Sequence, residues 1–331
     1  MTAPSPDGPD RPERPGASTF TIEGRSAPGL FVVGWLGTLV GLGAVLLAFM
    51  AAEGPARILL IAGLVVLSIG LVAGAGGQAI ERHARGGRNY VGPTPFLVFA
   101  AALPISSLLA IGAGAILIAF GIPIDGPIGA LASVGLQAVV YVGLIRLLVV
   151  DGGSLTWADM RIRRPSGTGL VEFALGAGWA LPVIVATLPV ALLLSQFVPT
   201  PPPSPLPATG SIGGLLLHLL AGAIIAPIGE EVMFRAFATT AWVRDMGVNR
   251  GLVRAALFFA VAHVLTISGV NASEAVGAAV AAFIGRIPVA LALGFLFVRR
   301  DTIWAPLGLH AGFNALLLIF QEMAALSASP V

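Results

Sequence analysis

SIGGLLLHLLAGAIIAPIGEEVMFRAFATT, residues 211–240, is long and apolar enough to cross a bilayer, yet it holds Glu230, Glu231 and Arg235 within that run. A spanning helix needs about 20 mainly apolar residues. An ionised side chain at mid-bilayer costs roughly 2.5–3.5 kcal/mol on insertion scales. The fold must therefore shelter this segment, with the charges facing a protein interior. Glu231 and Arg235 are four apart, share a helix face and are spaced to pair. Glu230 lies about 100° around the helix and points elsewhere. Pro227 removes a backbone donor and is expected to bend the helix just before them. His218 is about three turns away and reads as a packing residue.

The rest of the chain agrees with a membrane setting. Of 331 residues, 56% are hydrophobic and 10% charged, against about 25% charged in soluble domains. The expected fold is all-α, a polytopic membrane helix bundle of about nine spans, with eight as the alternative. The candidates are 30–52, 57–77, 96–121, 127–150, 170–198, 211–240, 251–268, 274–298 and 302–326. The shortest, 251–268, carries a histidine. Arg82, Arg85 and Arg88 are assigned to the loop after the second span, and Pro199–Pro207 to a proline-rich loop. Residues 151–169 are read as a loop able to form a short interfacial helix, with Trp157 at the headgroups. Gly37/Gly41 and Gly70/Gly74 are small-xxx-small pairs, read as close packing within the chain in preference to a dimer face.

Every basic residue is arginine. With the N-terminus inside, Arg11, Arg14, Arg25, Arg82, Arg85, Arg88, Arg161, Arg163, Arg164, Arg244, Arg250, Arg254, Arg299 and Arg300 are inside and only Arg57 is outside. The positive-inside rule then gives nine spans, N-terminus in and C-terminus out. Abundant Ala, Gly and Pro beside arginine suit a GC-rich genome and the cytoplasmic membrane of a bacterium. The expected organisation is a disordered cytoplasmic tail over 1–28, N-terminal helices over 29–169, a core over 170–326 and a short tail over 327–331. The lipid bilayer is one expected partner. Scattered basic residues exclude a nucleic-acid surface, and the absence of cysteine excludes disulfides and thiolate chemistry.

The last four spans hold most of the intramembrane polar groups. Counting from the nearest inside arginine at about 1.5 Å per residue, Glu230, His263 and His310 lie roughly 21, 14 and 15 Å deep. Three groups on three helices at similar depth form a plausible single site. A carboxylate and two imidazoles match the ligands of hydrolytic zinc sites, so Glu230, His263 and His310 are the candidate donors to a divalent metal. Alternatively, Glu230 acts unaided as a general base, with Asn314, four residues after His310, donating to the oxyanion. Both routes end at hydrolysis of an amide bond. Arg286, beside Pro288, has Glu172, Glu230 and Glu231 as possible partners. Phe259 reads as packing.

Three motifs, Glu230-Glu231-x-x-x-Arg235, Phe259-x-x-x-His263 and His310-x-x-x-Asn314, occur in this order. The set resembles the CPBP (Abi, type II CAAX prenyl endopeptidase) intramembrane proteases over about 211–326. The resemblance implies an intramembrane metallo-endopeptidase acting on a membrane protein or peptide. It implies that Glu230 activates water with help from His263. His310 and Asn314 would hold the oxyanion or the water, and Glu231 with Arg235 would stabilise the site. Ala236 stands where many members carry glycine. The alternatives are a non-enzymatic scaffold or immunity-type protein retaining these residues, and a transporter. Transport predicts two related halves, and the first five spans hold no second copy of the glutamate pattern.

Overall fold

A computed structural model describes residues 21–198, 204–265, 267 and 271–328. The described residues form nine helices and no strand: α1 Pro28–Ala48, α2 Glu53–Arg85, α3 Pro95–Ala119, α4 Pro127–Val150, α5 Gly167–Ser195, α6 Ile212–Met246, α7 Val248–Ala262, α8 Ala272–Arg300 and α9 Trp304–Ala328. All but α7 are long and apolar enough to cross a membrane. Large apolar side chains such as Leu39, Phe120, Leu192 and Phe295 are exposed all round the bundle. In water such a surface would aggregate; against lipid it costs nothing. The all-α polytopic bundle expected from the sequence is the observed architecture.

Local chemistry sets the helix ends. Thr94, Ser211 and Asn271 cap α3, α6 and α8 by accepting from Leu97, Gly214 and Glu274 N–H groups. Pro28, Pro95 and Pro127 open α1, α3 and α4, where a missing N–H costs nothing. Gly86 (φ +66°) ends α2, and Gly247 (φ +82°) divides α6 from α7.

Three expectations need correction. Arg82 and Arg85 belong to the last turns of α2. Hydropathy marks where the chain leaves lipid, whereas the hydrogen-bonded helix continues, helped by the Glu81–Arg85 pair at 3.3 Å. Residues 151–166 form turns and no interfacial helix. There Asp159 accepts from the Thr156 N–H and hydroxyl and from Arg244, which together hold its carboxyl below the usual carboxylate range. The span expected over 251–268 is a helix of 15 residues, α7. At about 1.5 Å per residue it covers roughly 22 Å, short of the roughly 30 Å hydrocarbon core. Residues 266 and 268 of that span lie outside the described residues, as do 269–270, 1–20 of the expected tail, 199–203 of the proline loop and 329–331.

Ion pairs gather the arginine-bearing ends on one side of the bundle. Arg88 meets Asp245 (3.3 Å), Arg244 meets Asp159 (2.6 Å), and Arg161 and Arg163 meet Asp301 (2.6 and 3.2 Å). Arg300 binds Glu172, and Arg25 reaches Glu81 at 3.0 Å. Because α7 starts at this end and α8 finishes there, the chain leaves and returns between them. The short α7 thus accounts for the outward leg, and nine passages are retained with eight full-length helices.

Glycines allow the closest crossings. A Cβ on Gly37 would lie 2.8 Å from the Gly70 Cα, so these pairs close the α1–α2 hairpin within the chain. A Cβ on Gly308 would lie 2.0 Å from the Phe173 carbonyl oxygen, and one on Gly176 would lie 1.9 Å from that of Ala305. Backbone thus touches backbone where α5 crosses α9. Gly308→Val should cost about 3 kcal/mol or more, read as lost folded yield and a lower melting temperature in detergent. Normal melting would refute the contact.

The absence of cysteine makes topology testable with single introduced thiols. Cysteines at Gly87, Gly247 and Arg299 should label from one side of the membrane, and those at Gly121 and Gly210 from the other. Labelling of Gly87→Cys and Arg299→Cys from opposite sides would overturn the nine-passage arrangement.

Candidate active site

α6 departs from ideal winding twice, over Leu220–Ile225 and Glu231–Thr239, where it adopts the wider π-helix. Such turns usually mark functional positions. The second spans the charged motif, and Thr239 Oγ1 donates five residues back to the Phe234 carbonyl at 2.8 Å. Gly229, just before Glu230, admits α4: a Cβ there would lie 2.8 Å from the Ala138 Cα. One turn further along α4, Tyr141 is buried and lies within electrostatic range of Glu230.

The structure brings Glu230, Glu231, Arg235, His263 and His310 together from α6, the end of α7, and α9. Glu231 is fully buried. Its Oε1 accepts from His310 Nδ1 at 2.8 Å and lies 3.2 Å from Arg235 Nη1. The Arg235 guanidinium sits 4.1 Å over the Phe259 ring, whose negative face supplements its single carboxylate partner. Phe259 also packs against both imidazoles, at centroid distances of 4.2 Å to His263 and 5.9 Å to His310. It does more than the packing read from sequence, because its carbonyl oxygen receives a bond from His263 Nδ1 at 2.7 Å.

Those two Nδ1 contacts decide the tautomers. A carbonyl oxygen and a carboxylate only accept, so each Nδ1 carries the proton and each neutral ring presents a lone pair at Nε2. Both Nε2 atoms face the same oxygen, Glu230 Oε2, at 3.4 Å from His263 and 3.7 Å from His310. That oxygen is buried and has no hydrogen-bond partner among the described residues. Three electron-rich atoms therefore converge, at separations too long for direct hydrogen bonds. The arrangement calls for something positive or proton-donating between them: a cation, a proton or a water. With both imidazoles neutral, Glu230 and Glu231 exceed Arg235 by one negative charge.

A tetrahedral ion with bonds of about 2.0–2.1 Å holds its ligands about 3.3–3.4 Å apart. The donor types and the Glu230–His263 spacing fit such an ion, and the Nδ1 partners orient both rings as outer-shell groups do. As they stand, no three His, Asp or Glu side chains among the described residues converge closely enough to hold one. The wider His310 separation is the side that would have to draw in.

Asn314 stands apart. Its Nδ2 donates at 2.7 Å to the Gly222 carbonyl, in the first π segment of α6. This bond ties α9 to α6 and engages the amide that sequence reasoning assigned to an oxyanion. Arg286 donates to its own helix at the Ala282 carbonyl (3.2 Å) and lies within electrostatic range of Glu230. Glu172, one of its possible partners, is taken by Arg300. His218 is buried in α6, away from these contacts. Sequence reasoning missed the Glu231–His310 bond and Tyr141. Tyr141 carried a signal, as one of only two tyrosines in the chain and set within an apolar span.

The class is thus a multi-pass helical membrane protein with a carboxylate–imidazole centre enclosed by its C-terminal helices. Residues 212–316, which contain that whole centre, match the family model of Type II CAAX prenyl endopeptidase Rce1-like proteins. The resemblance drawn from the three motifs stands for that segment. No curated protein and no solved structure matches the chain.

Arg235→Ala would strand Glu231 in a buried site and should cost about 3–5 kcal/mol. Glu231→Leu combined with Arg235→Met should recover part of that loss. Thermal unfolding of both variants in detergent checks this, and an unshifted Arg235→Ala protein would refute the pairing.

Proposed function

We propose that the protein is an intramembrane endopeptidase that hydrolyses a peptide bond of a membrane-associated protein or peptide. The carrying observation is the convergence of Glu230 Oε2 and two imidazole Nε2 lone pairs on one enclosed point. A water held there has three acceptors for its two protons, so it is polarised before a substrate arrives. Glu230 takes a proton as the water oxygen attacks the scissile carbonyl carbon. The same proton then passes to the amine nitrogen as the C–N bond breaks. His263, the more exposed imidazole, holds the water from the side of α7. His310 is kept in its tautomer by Glu231, much as a carboxylate orients a catalytic histidine elsewhere. Arg286, within electrostatic range of Glu230, offsets the excess negative charge. Asn314 fixes the spacing of α9 against α6.

Glu230, His263 and His310 are the proposed donors to a divalent metal, with zinc the best match to two imidazoles and a carboxylate. When bound, such an ion supplies an acidified water and a polarised carbonyl. The arginine-rich end is proposed to face the cytoplasm of a bacterial cell, following the charge rule.

Glu230→Gln and His263→Ala should each reduce cleavage of membrane peptides by at least about 10²–10⁴-fold, with folding intact by size-exclusion profile. His310→Ala should lose cleavage and also melt lower, because it removes a partner of buried Glu231. Full cleavage by Glu230→Gln would exclude the mechanism. Metal analysis gives a readout independent of substrate. Near-stoichiometric zinc in the wild type, absent from His263→Ala/His310→Ala, supports the donor set, whereas equal metal in both rejects it.

A further inference from the structure

A second charged centre lies at the end of α2, away from Glu230. A cavity of about 330 Å³ is lined by Gln78, Glu81, Arg82, Arg85, Gly86 and Arg88. Three guanidinium groups share it with one carboxylate, and that carboxylate is already engaged. Glu81 Oε1 accepts from Arg25 at 3.0 Å, and Oε2 accepts from Arg25 at 3.1 Å and from Arg85 at 3.3 Å. The neighbouring Asp245 accepts from Arg88 Nη2 and from the Tyr90 N–H, each at 3.3 Å. Arg82 spends Nη1 on a neutral acceptor, the Gly92 carbonyl, at 2.6 Å. Among the described residues, the three arginines that line the cavity share Glu81 and Asp245 with Arg25, so guanidinium groups outnumber carboxylates there. Arg88 is also close enough to repel Arg82. The Arg85 and Arg88 side chains are 56% and 49% exposed, so their remaining N–H groups are open.

The height of this cavity in the membrane identifies the ligand. The apolar part of α2 ends at Ile80, and the arginines follow directly. With 33 residues, α2 is roughly 50 Å long and outruns the roughly 30 Å hydrocarbon core. Its last turns therefore stand among the headgroups. Arginine forks match phosphate oxygens in geometry and charge. The cavity is about ten times the volume a water occupies in the liquid, ample for a phosphate ester.

We propose that this cavity binds the phosphate of an anionic phospholipid headgroup from the surrounding leaflet. The bound phosphate would neutralise the arginine excess. Through Arg88, which also holds Asp245, it would link the end of α2 to the end of the helix that carries Glu230. The same chemistry would accept free phosphate, so the test separates the two sources.

The full chain is to be purified in detergent and titrated with phosphatidylglycerol, phosphatidylcholine or inorganic phosphate. Bound lipid is read by native mass spectrometry and stabilisation by thermal melting. The wild type should retain phosphatidylglycerol over phosphatidylcholine. Arg85→Gln/Arg88→Gln should weaken that binding roughly 25-fold, about fivefold per arginine near an anionic surface. Should the double variant fold poorly, Arg85→Gln alone should show the fivefold loss. Equal retention by wild type and variant overturns the proposal. So does a melting shift produced by inorganic phosphate alone with no preference for the anionic lipid, which would reassign the cavity to a soluble ligand.

Discussion

An ionised carboxylate enclosed in a membrane protein must find compensating charge and hydrogen bonds, and Glu231 is the group on which the C-terminal helices depend for this. Its side chain is fully buried, and a lone charge in that position would cost several kcal/mol. One oxygen resolves the difficulty twice, by facing Arg235 on its own helix and His310 on another. The first contact is local and neutralises charge. The second reaches across 79 residues of chain and fixes the rotation of α9 about its axis. Once α9 is fixed, His310 Nε2 is aimed at Glu230, and that carboxylate acquires its surroundings as a consequence of stability.

The packing around this bond serves the same end. Gly229 brings α4 against the helix immediately before Glu230. The π segment over Glu231–Thr239 widens the helix where the charged side chains leave it. Phe259 supplies a ring face to Arg235, a carbonyl to His263 and an edge contact to His310. One aromatic residue thus touches three ionisable groups. A polar centre in lipid therefore needs its apolar neighbours as much as its polar ones.

The ends of the helices are governed by a different balance. At the arginine-rich end, salt bridges between segments far apart in sequence align α2, α6, α8 and the 151–166 turns. Exposed pairs of this kind contribute little stability singly. Their value is geometric, since they hold the ends of α2, α6 and α8 and the 151–166 turns together on one side of the bundle.

Much of this was legible in the sequence because lipid imposes a one-dimensional rule. Apolar runs of about 20 residues must become helices, so the bundle, the location of most spans and the glycine pairs between α1 and α2 could be read from order alone. Spacing gave the Glu231–Arg235 pair, since four residues is one helical turn. Similar depth gave the grouping of Glu230, His263 and His310. What order could not contain was rotation about each axis. Depth is counted along the chain, whereas azimuth is decided by how helices pack. Only the tertiary structure could therefore show that His310 answers to Glu231 through Nδ1 and to Glu230 through Nε2. It alone showed that Asn314 turns to Gly222, that Tyr141 arrives from α4, and that α7 stops at a histidine after 15 residues.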